Sequence, residues 1–143
     1  MPACVFCQIV AGELPAFVVF DDELAMGFLD VRPVFHGHVL VVPKAHVELL
    51  TDLPVERVGP YFERVQRVAA AVPAALGAQG TFVAINNKVS QSVPHLHTHV
   101  VPRTKGDGLK GFFWPRTRYA GDEQAAEVAA SIAAELDGLS RPG

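Results

Sequence analysis

The sequence predicts an α+β fold: a five-stranded, mostly antiparallel sheet carrying one long helix and a C-terminal helix. Three observations predict it. Short β-branched apolar stretches recur along the chain, bounded by turn residues. Only two segments show the apolar period of an amphipathic helix. Strands and helices do not alternate regularly and there is no Gly-rich phosphate loop, which argues against a doubly wound nucleotide fold.

The elements follow in order. Phe17-Val-Val-Phe20 runs into Asp21-Asp22, a strand ending in a turn, and Leu24 to Leu29 completes a hairpin. Val39 to Pro43 is wholly apolar and β-branched, as a central strand requires. Val55, Val58, Phe62, Val65, Val68 and Val72 fall at helical spacing, with Arg57, Arg64 and Arg67 between them. Asp52 is the expected N-cap, and Pro60 and Pro73 are expected to kink or shorten this helix. Gly77 and Gly80 break the chain before a fourth strand at Thr81 to Asn86. A fifth strand is expected from His95 to Val101. Asp122 would cap a last helix with Val128, Ile132 and Leu136 on its buried face.

The 143 residues suit one domain, residues 1–143. Its core would span about 4–103, with an aromatic, basic loop and helix over 104–143. Half the residues are hydrophobic, too many for a disordered chain. A net charge of −3 argues against a nucleic-acid partner, which usually meets a basic face. No apolar run approaches the ~20 residues of a membrane span, and the N-terminus lacks a signal-peptide pattern. Two cysteines, Cys4 and Cys7, cannot form a disulfide framework, so a cytoplasmic location is expected.

His95-Leu-His97-Thr-His99 carries the chemistry. On a strand, alternate residues share a face, so three of the six histidines would line one side. Neighbours in such a row stand about 6.6–7 Å apart at Cα, too spread to grip one metal together. They suit a graded set, a central nucleophile with flanking helpers.

The pattern His-x-His-x-His resembles the histidine triad (HIT) superfamily of nucleotidyl hydrolases and transferases. Cys4-Val-Phe-Cys7-Gln-Ile-Val-Ala-Gly12-Glu-Leu-Pro15 resembles the opening of bacterial members. Phe28-Leu-Asp30-Val-Arg-Pro33 and Gly37-His38-Val-Leu-Val-Val-Pro43-Lys44 resemble the nucleotide-binding segment. Asn86-Asn87 and Gln91-Ser92-Val93-Pro94 resemble the active-site loop. The resemblance implies that His97 attacks the α-phosphorus of a nucleoside phosphate derivative, forming a covalent nucleotidyl-histidine that water releases. It implies that His99, Gln91 and Ser92 hold the phosphate and leaving group, with Asn86 orienting the phosphate. Asp30 would accept the ribose hydroxyls, Phe28 and Val31 would sandwich a purine base, and His38 would support the triad. For Phe28, Val31 and Asn86, core packing or loop capping is an equal alternative. Lys88-Val89-Ser90 departs from the family, standing where a longer, Gly-rich loop is usual.

The same resemblance implies a structural zinc held by Cys4, Cys7, His46 and His95; two reduced, packed cysteines are the alternative. It also implies a homodimer. Arg103, Lys105, Lys110, Arg116 and Arg118 either approach an anion or form a solvated loop. Trp114 either caps a neighbouring subunit's pocket or, with Phe112 and Phe113, anchors the last helix. The leading function is a Hint-like phosphoramidase acting on AMP derivatives. The rivals are a Fhit-like diadenosine polyphosphate hydrolase, a nucleotide-binding regulatory module without turnover, and a purely structural zinc protein.

Overall fold

A computed structural model describes residues 4–109 and 116–139. The chain divides into two compact units, Met1–Asp107 and Gly108–Gly143. The first holds α1 (Val5–Val10), β1 (Val18–Asp21), β2 (Ala25–Leu29), β3 (Val39–Pro43), α2 (Val55–Leu76), β4 (Gly80–Ile85) and β5 (Thr98–Arg103). The second holds α3 (Asp122–Gly138). The five strands form one sheet in the order β1-β2-β3-β5-β4, every neighbouring pair antiparallel.

The expected architecture is therefore present, and β3 is central and buried along its whole length. The β1–β2 turn forms because the Asp22 carboxylate accepts from the Leu24 and Ala25 amides. Gly27 is required opposite it: a Cβ there would stand 2.6 Å from the Phe20 ring. Alternation divides the sheet into two faces. Ala25, Val39, Val41, Leu96 and Val100 pack under α2 with Tyr61, Val65, Val68 and Val72. Met26, Phe28, Leu40 and Val42 pack on the opposite face with Phe6 of α1.

Four expectations need correction. Asp52 does not cap α2; it closes a single 3-10 turn, Leu50–Asp52, by accepting from the Leu49 amide. The helix starts at Val55, after Pro54. Pro60 and Pro73 sit inside a continuous 22-residue helix, because each removes one amide donor while the apolar stripe on the sheet stays whole. The fifth strand starts at Thr98 rather than His95. Continuing the β3–β5 register would set Leu96 against Pro43, which has no N–H and whose carbonyl is taken by the His95 ring. The Leu96 amide bonds the Val47 carbonyl at 2.7 Å instead. Finally, α3 begins at Asp122 with Gly121 before it, and Val128, Ile132 and Leu136 are exposed. Among the described residues of its own unit, α3 meets no second layer that would bury them. Helix α1 was not foreseen at all.

Tyr61 joins the two layers. Its hydroxyl donates to the Val41 carbonyl at 2.8 Å and meets the Thr98 hydroxyl at 2.6 Å, both fully buried. Thr98 directly follows His97, so this contact clamps the histidine segment from below. Tyr61→Phe strands two buried polar atoms and should cost about 1–3 kcal/mol in urea denaturation. An unchanged midpoint would show that the pair contributes nothing.

Candidate active site

All three triad histidines lie on the face opposite α2, as strand alternation requires. Each then meets a different neighbour. The His97 Nδ1 donates to the backbone carbonyl of His95 at 2.8 Å. A carbonyl can only accept, so Nδ1 carries the proton and the neutral ring presents a bare Nε2 lone pair. His97 is 3 % exposed, its ring lying between Phe6 (5.1 Å between centroids) and His99 (5.0 Å).

His99 is set by a relay that starts at the backbone. The Val34 amide donates to His38 Nδ1 at 3.1 Å, which places the His38 proton on Nε2. That nitrogen lies 2.9 Å from His99 Nδ1. His99 therefore accepts at Nδ1 and keeps its own N–H on Nε2, as a donor. Burial, then the facing imidazoles of His97 and His38, hold His99 down to about 4, so it is neutral at pH 7. Burial also lowers buried His38, only partly offset by Asp30. Gly37 makes this placement of His38 feasible: it has φ +97°, and a Cβ would stand 2.0 Å from Leu76 Cδ1.

Asp30 closes this end of the site. One carboxylate oxygen accepts from the Arg32 amide at 2.8 Å; the other lies 3.7 Å from His38 Nδ1 and has acceptor capacity left. Phe28 is buried in the α1-side core, whereas Val31 is 77 % exposed. Asn86 follows the end of β4, but it is Asn87, not singled out from the sequence, that ties the loop by accepting from the Leu50 amide. Gln91 is held at both ends: Oε1 accepts from the Lys88 amide and Nε2 donates to the Glu48 carbonyl at 2.7 Å. Ser92 is exposed beside it. The short segment in place of a Gly-rich loop is strained, since Lys88 (φ 67°) and Ser90 (φ 62°) both take left-handed conformations.

The four remaining candidates also converge. Cys4 precedes α1 and its Sγ accepts from the Cys7 amide; Cys7 lies in α1, His46 after β3 and His95 before β5. Their ligand atoms all lie within 4.8 Å of one another. The S–N separations are 3.4, 3.6 and 3.2 Å and the N–N separation is 3.2 Å. A tetrahedral zinc, with bonds of about 2.3 Å to sulfur and about 2.05 Å to nitrogen, has S–N edges of about 3.5 Å and an N–N edge of about 3.3 Å. The His95 Nε2 donates to the Pro43 carbonyl at 2.8 Å, so its Nδ1 lone pair faces the sulfurs. Burial and the neighbouring Cys4 thiol push Cys7 up, disfavouring a bare thiolate pair. The donor set fits zinc and leaves no open position.

Other features fall away from this site. His36 is exposed. Arg103 is engaged by Asp107 through two bonds, of 2.6 and 3.1 Å. A groove of about 720 Å³ runs between α2 and the β1–β2 hairpin, lined by Val19, Phe20, Val39, Val68 and Leu76 on the opposite face. Lys110, Phe112, Phe113 and Trp114 lie outside the described residues. No described helix is long and apolar enough to cross a membrane.

Comparisons agree with the geometry. The profile of the HIT domain family matches residues 11–106. The chain is 38 % identical over 139 residues to the protein named Protein hit of Bacillus subtilis, covering 93 % of this chain and 94 % of that one. It is 32 % identical to an adenosine 5′-monophosphoramidase of Schizosaccharomyces pombe, covering 79 % and 84 %. It is also similar to the crystal structure of a zinc-bound histidine triad family protein from Mycobacterium smegmatis, with TM-score 0.71, 40 % identity and coverage of 96 % and 98 %.

The low value of His99 makes a pH prediction. An unfolded histidine titrates near 6.5, so between pH 6.5 and 4 the unfolded chain binds more protons than the folded one at this site. Stability from His99 is full above about 6.5 and lost as pH falls toward 4. Urea midpoints should decline across that window, and His99→Gln should flatten the decline. Identical slopes in both proteins would disprove the assignment.

Proposed function

The chain belongs to the HIT family, and we propose on that footing that it hydrolyses nucleotide derivatives at the α-phosphate through a nucleotidyl-histidine, with AMP phosphoramidates as its preferred class. One observation carries the reading: the His95 carbonyl holds the His97 Nδ1 proton and so bares Nε2. In the proposed first step that lone pair forms a bond to the α-phosphorus as the P–N bond breaks and the departing amine takes up a proton. We assign that proton to the hydroxyl of Ser92, which is exposed in the same loop. In the second step water attacks the phosphorus, its proton restores the Ser92 hydroxyl, the N–P bond to His97 breaks, and AMP leaves.

The other residues hold the substrate. Neutral His99 directs its Nε2–H to a phosphoryl oxygen as charge develops there. Asp30 accepts ribose hydroxyls and the purine lies against exposed Val31, while Phe28, expected on the other side of the base, is packed in the α1-side core instead. Gln91 supports the phosphate loop through its two backbone bonds, with Asn86 at the start of the same loop. The name of the S. pombe relative supports the phosphoramidate class. A diadenosine polyphosphate carries extra phosphates that Arg103 and the basic loop after it could meet, and the bonds of Arg103 to Asp107 weaken that alternative.

Cys4, Cys7, His46 and His95 would hold zinc, which supplies a fixed crosslink between α1 and the sheet. The zinc-bound M. smegmatis structure supports this part of the reading.

Two measurements test these proposals. Turnover of adenosine phosphoramidate and of a diadenosine polyphosphate should favour the former, and His97→Ala should lower it at least about a thousandfold with the fold intact. Retained turnover in His97→Ala would remove the nucleophile. Elemental analysis should find about one zinc per chain, lost in Cys7→Ser with a lowered melting temperature. A metal-free, equally stable protein after zinc supplementation would refute the metal site.

A further inference from the structure

Phe6 has a place in this site that the sequence did not disclose. It is buried in α1, and its ring meets three others edge-on: His97 at 5.1 Å, Phe28 at 5.4 Å and His95 at 5.9 Å. The interplanar angles of 80°, 65° and 74° are those of edge-to-face aromatic contacts. Phe6 thus touches both His97 and Phe28, the phenylalanine of the nucleotide-binding segment.

Consider the freedom left to the His97 ring. The Cβ–Cγ bond and the hydrogen bond to the His95 carbonyl restrain one edge of the ring, but χ1 and χ2 can still rock within the angular breadth of a single hydrogen bond. Phe6 stands against it on one side and His99 on another, at 5.0 Å. Together the three contacts define the direction of the Nε2 lone pair. In-line attack on phosphorus demands that direction, because a nucleophile pointed slightly away loses most of its advantage.

The helix that carries Phe6 is only six residues long and is too short to be stable alone. It is held from both sides of Phe6. The Cys4 sulfur accepts from the Cys7 amide, and both sulfurs face His95 and its neighbours. Phe6 itself reaches into the Met26, Phe28, Leu40 and Val42 cluster.

We infer that Phe6 is a positioning residue for His97, an aromatic wall delivered by α1 that fixes the line of nucleophilic attack. The inference rests on the hydrolase reading above for its kinetic consequence and on geometry alone for its structural one.

The experiment compares wild type with Phe6→Ala and Phe6→Leu. It measures kcat and KM on adenosine phosphoramidate, AMP binding by calorimetry, zinc per chain, and the ring-nitrogen NMR spectrum of His97. Phe6→Ala should lower kcat about tenfold or more, with AMP affinity within about threefold and zinc retained. Its His97 spectrum should change from one protonated Nδ1 form to a mixture of tautomers. Phe6→Leu refills most of the volume, keeps the fold if alanine does not, and should recover kcat to within about threefold of wild type. Wild-type kcat and an unaltered His97 spectrum in Phe6→Ala would overturn the inference, as would a loss of rate matched by loss of zinc. If wild type itself fails to turn over either substrate, the hydrolase reading falls. The His97 spectrum then still decides whether Phe6 positions the ring.

Discussion

The hydrogen bond from His97 Nδ1 to the carbonyl of His95 is the constraint on which the rest of the site depends. It is a contact two residues apart on one strand-like segment, so it needs no distant element to line up. It requires His95 itself to be immobile. That condition is met from three directions: the His95 ring bonds the Pro43 carbonyl, its other nitrogen faces two sulfurs, and its amide bonds the Val93 carbonyl at 2.8 Å. The first histidine is spent on holding still so that the second can react.

A second consequence follows from the alternation of the segment. Residues 95, 97 and 99 face α1 and the hairpin, while Leu96, Thr98 and Val100 face α2. Tyr61 reaches Thr98 from below. The apolar half of the row is therefore clamped by the core, and the imidazole half packs against Phe6 of α1 on the other face. The three rings divide along a gradient. The cluster of cysteines lies at the His95 end and the carboxylate of Asp30 at the His99 end. His97 stands between the two.

Much of this was legible in the sequence, for identifiable reasons. The order of strands and the face of each histidine follow from period-two alternation, which survives even where the ladder does not. The four sulfur and imidazole ligands were identifiable from residue type and family likeness, and the chain brings them within reach of one ion. The misses are of another kind. Helix α1 has no apolar period long enough to see in six residues, and its cap is a cysteine sulfur rather than a common capping oxygen. Asp52 satisfied the pattern of a cap but sits two residues before the cap position, Pro54, where a 3-10 turn uses it. The exposed stripe of α3 has helical spacing, and periodicity reports only that a face is apolar, never what covers it. Phe6 is visible in the sequence only as part of the opening motif; its contact with His97 is between residues 91 apart in sequence, and no local pattern encodes it.

The loop from Lys88 to Gln91 shows how the site tolerates its shortened form. Two left-handed residues without glycine cost conformational energy, of order 1 kcal/mol each. The cost is met by bonds that run out of the loop: Asn87 to the Leu50 amide, and Gln91 to the Lys88 amide and the Glu48 carbonyl. Glutamine is thus drawn away from purely phosphate-facing work into holding the turn. A short loop needs such a brace because it has no glycine to relax into. The brace also joins the phosphate end of the site to the segment after His46, one of the four cluster ligands. The loop from Asn87 to Gln91 and the segment that follows His46 are therefore one hydrogen-bonded structure, and neither can move without the other.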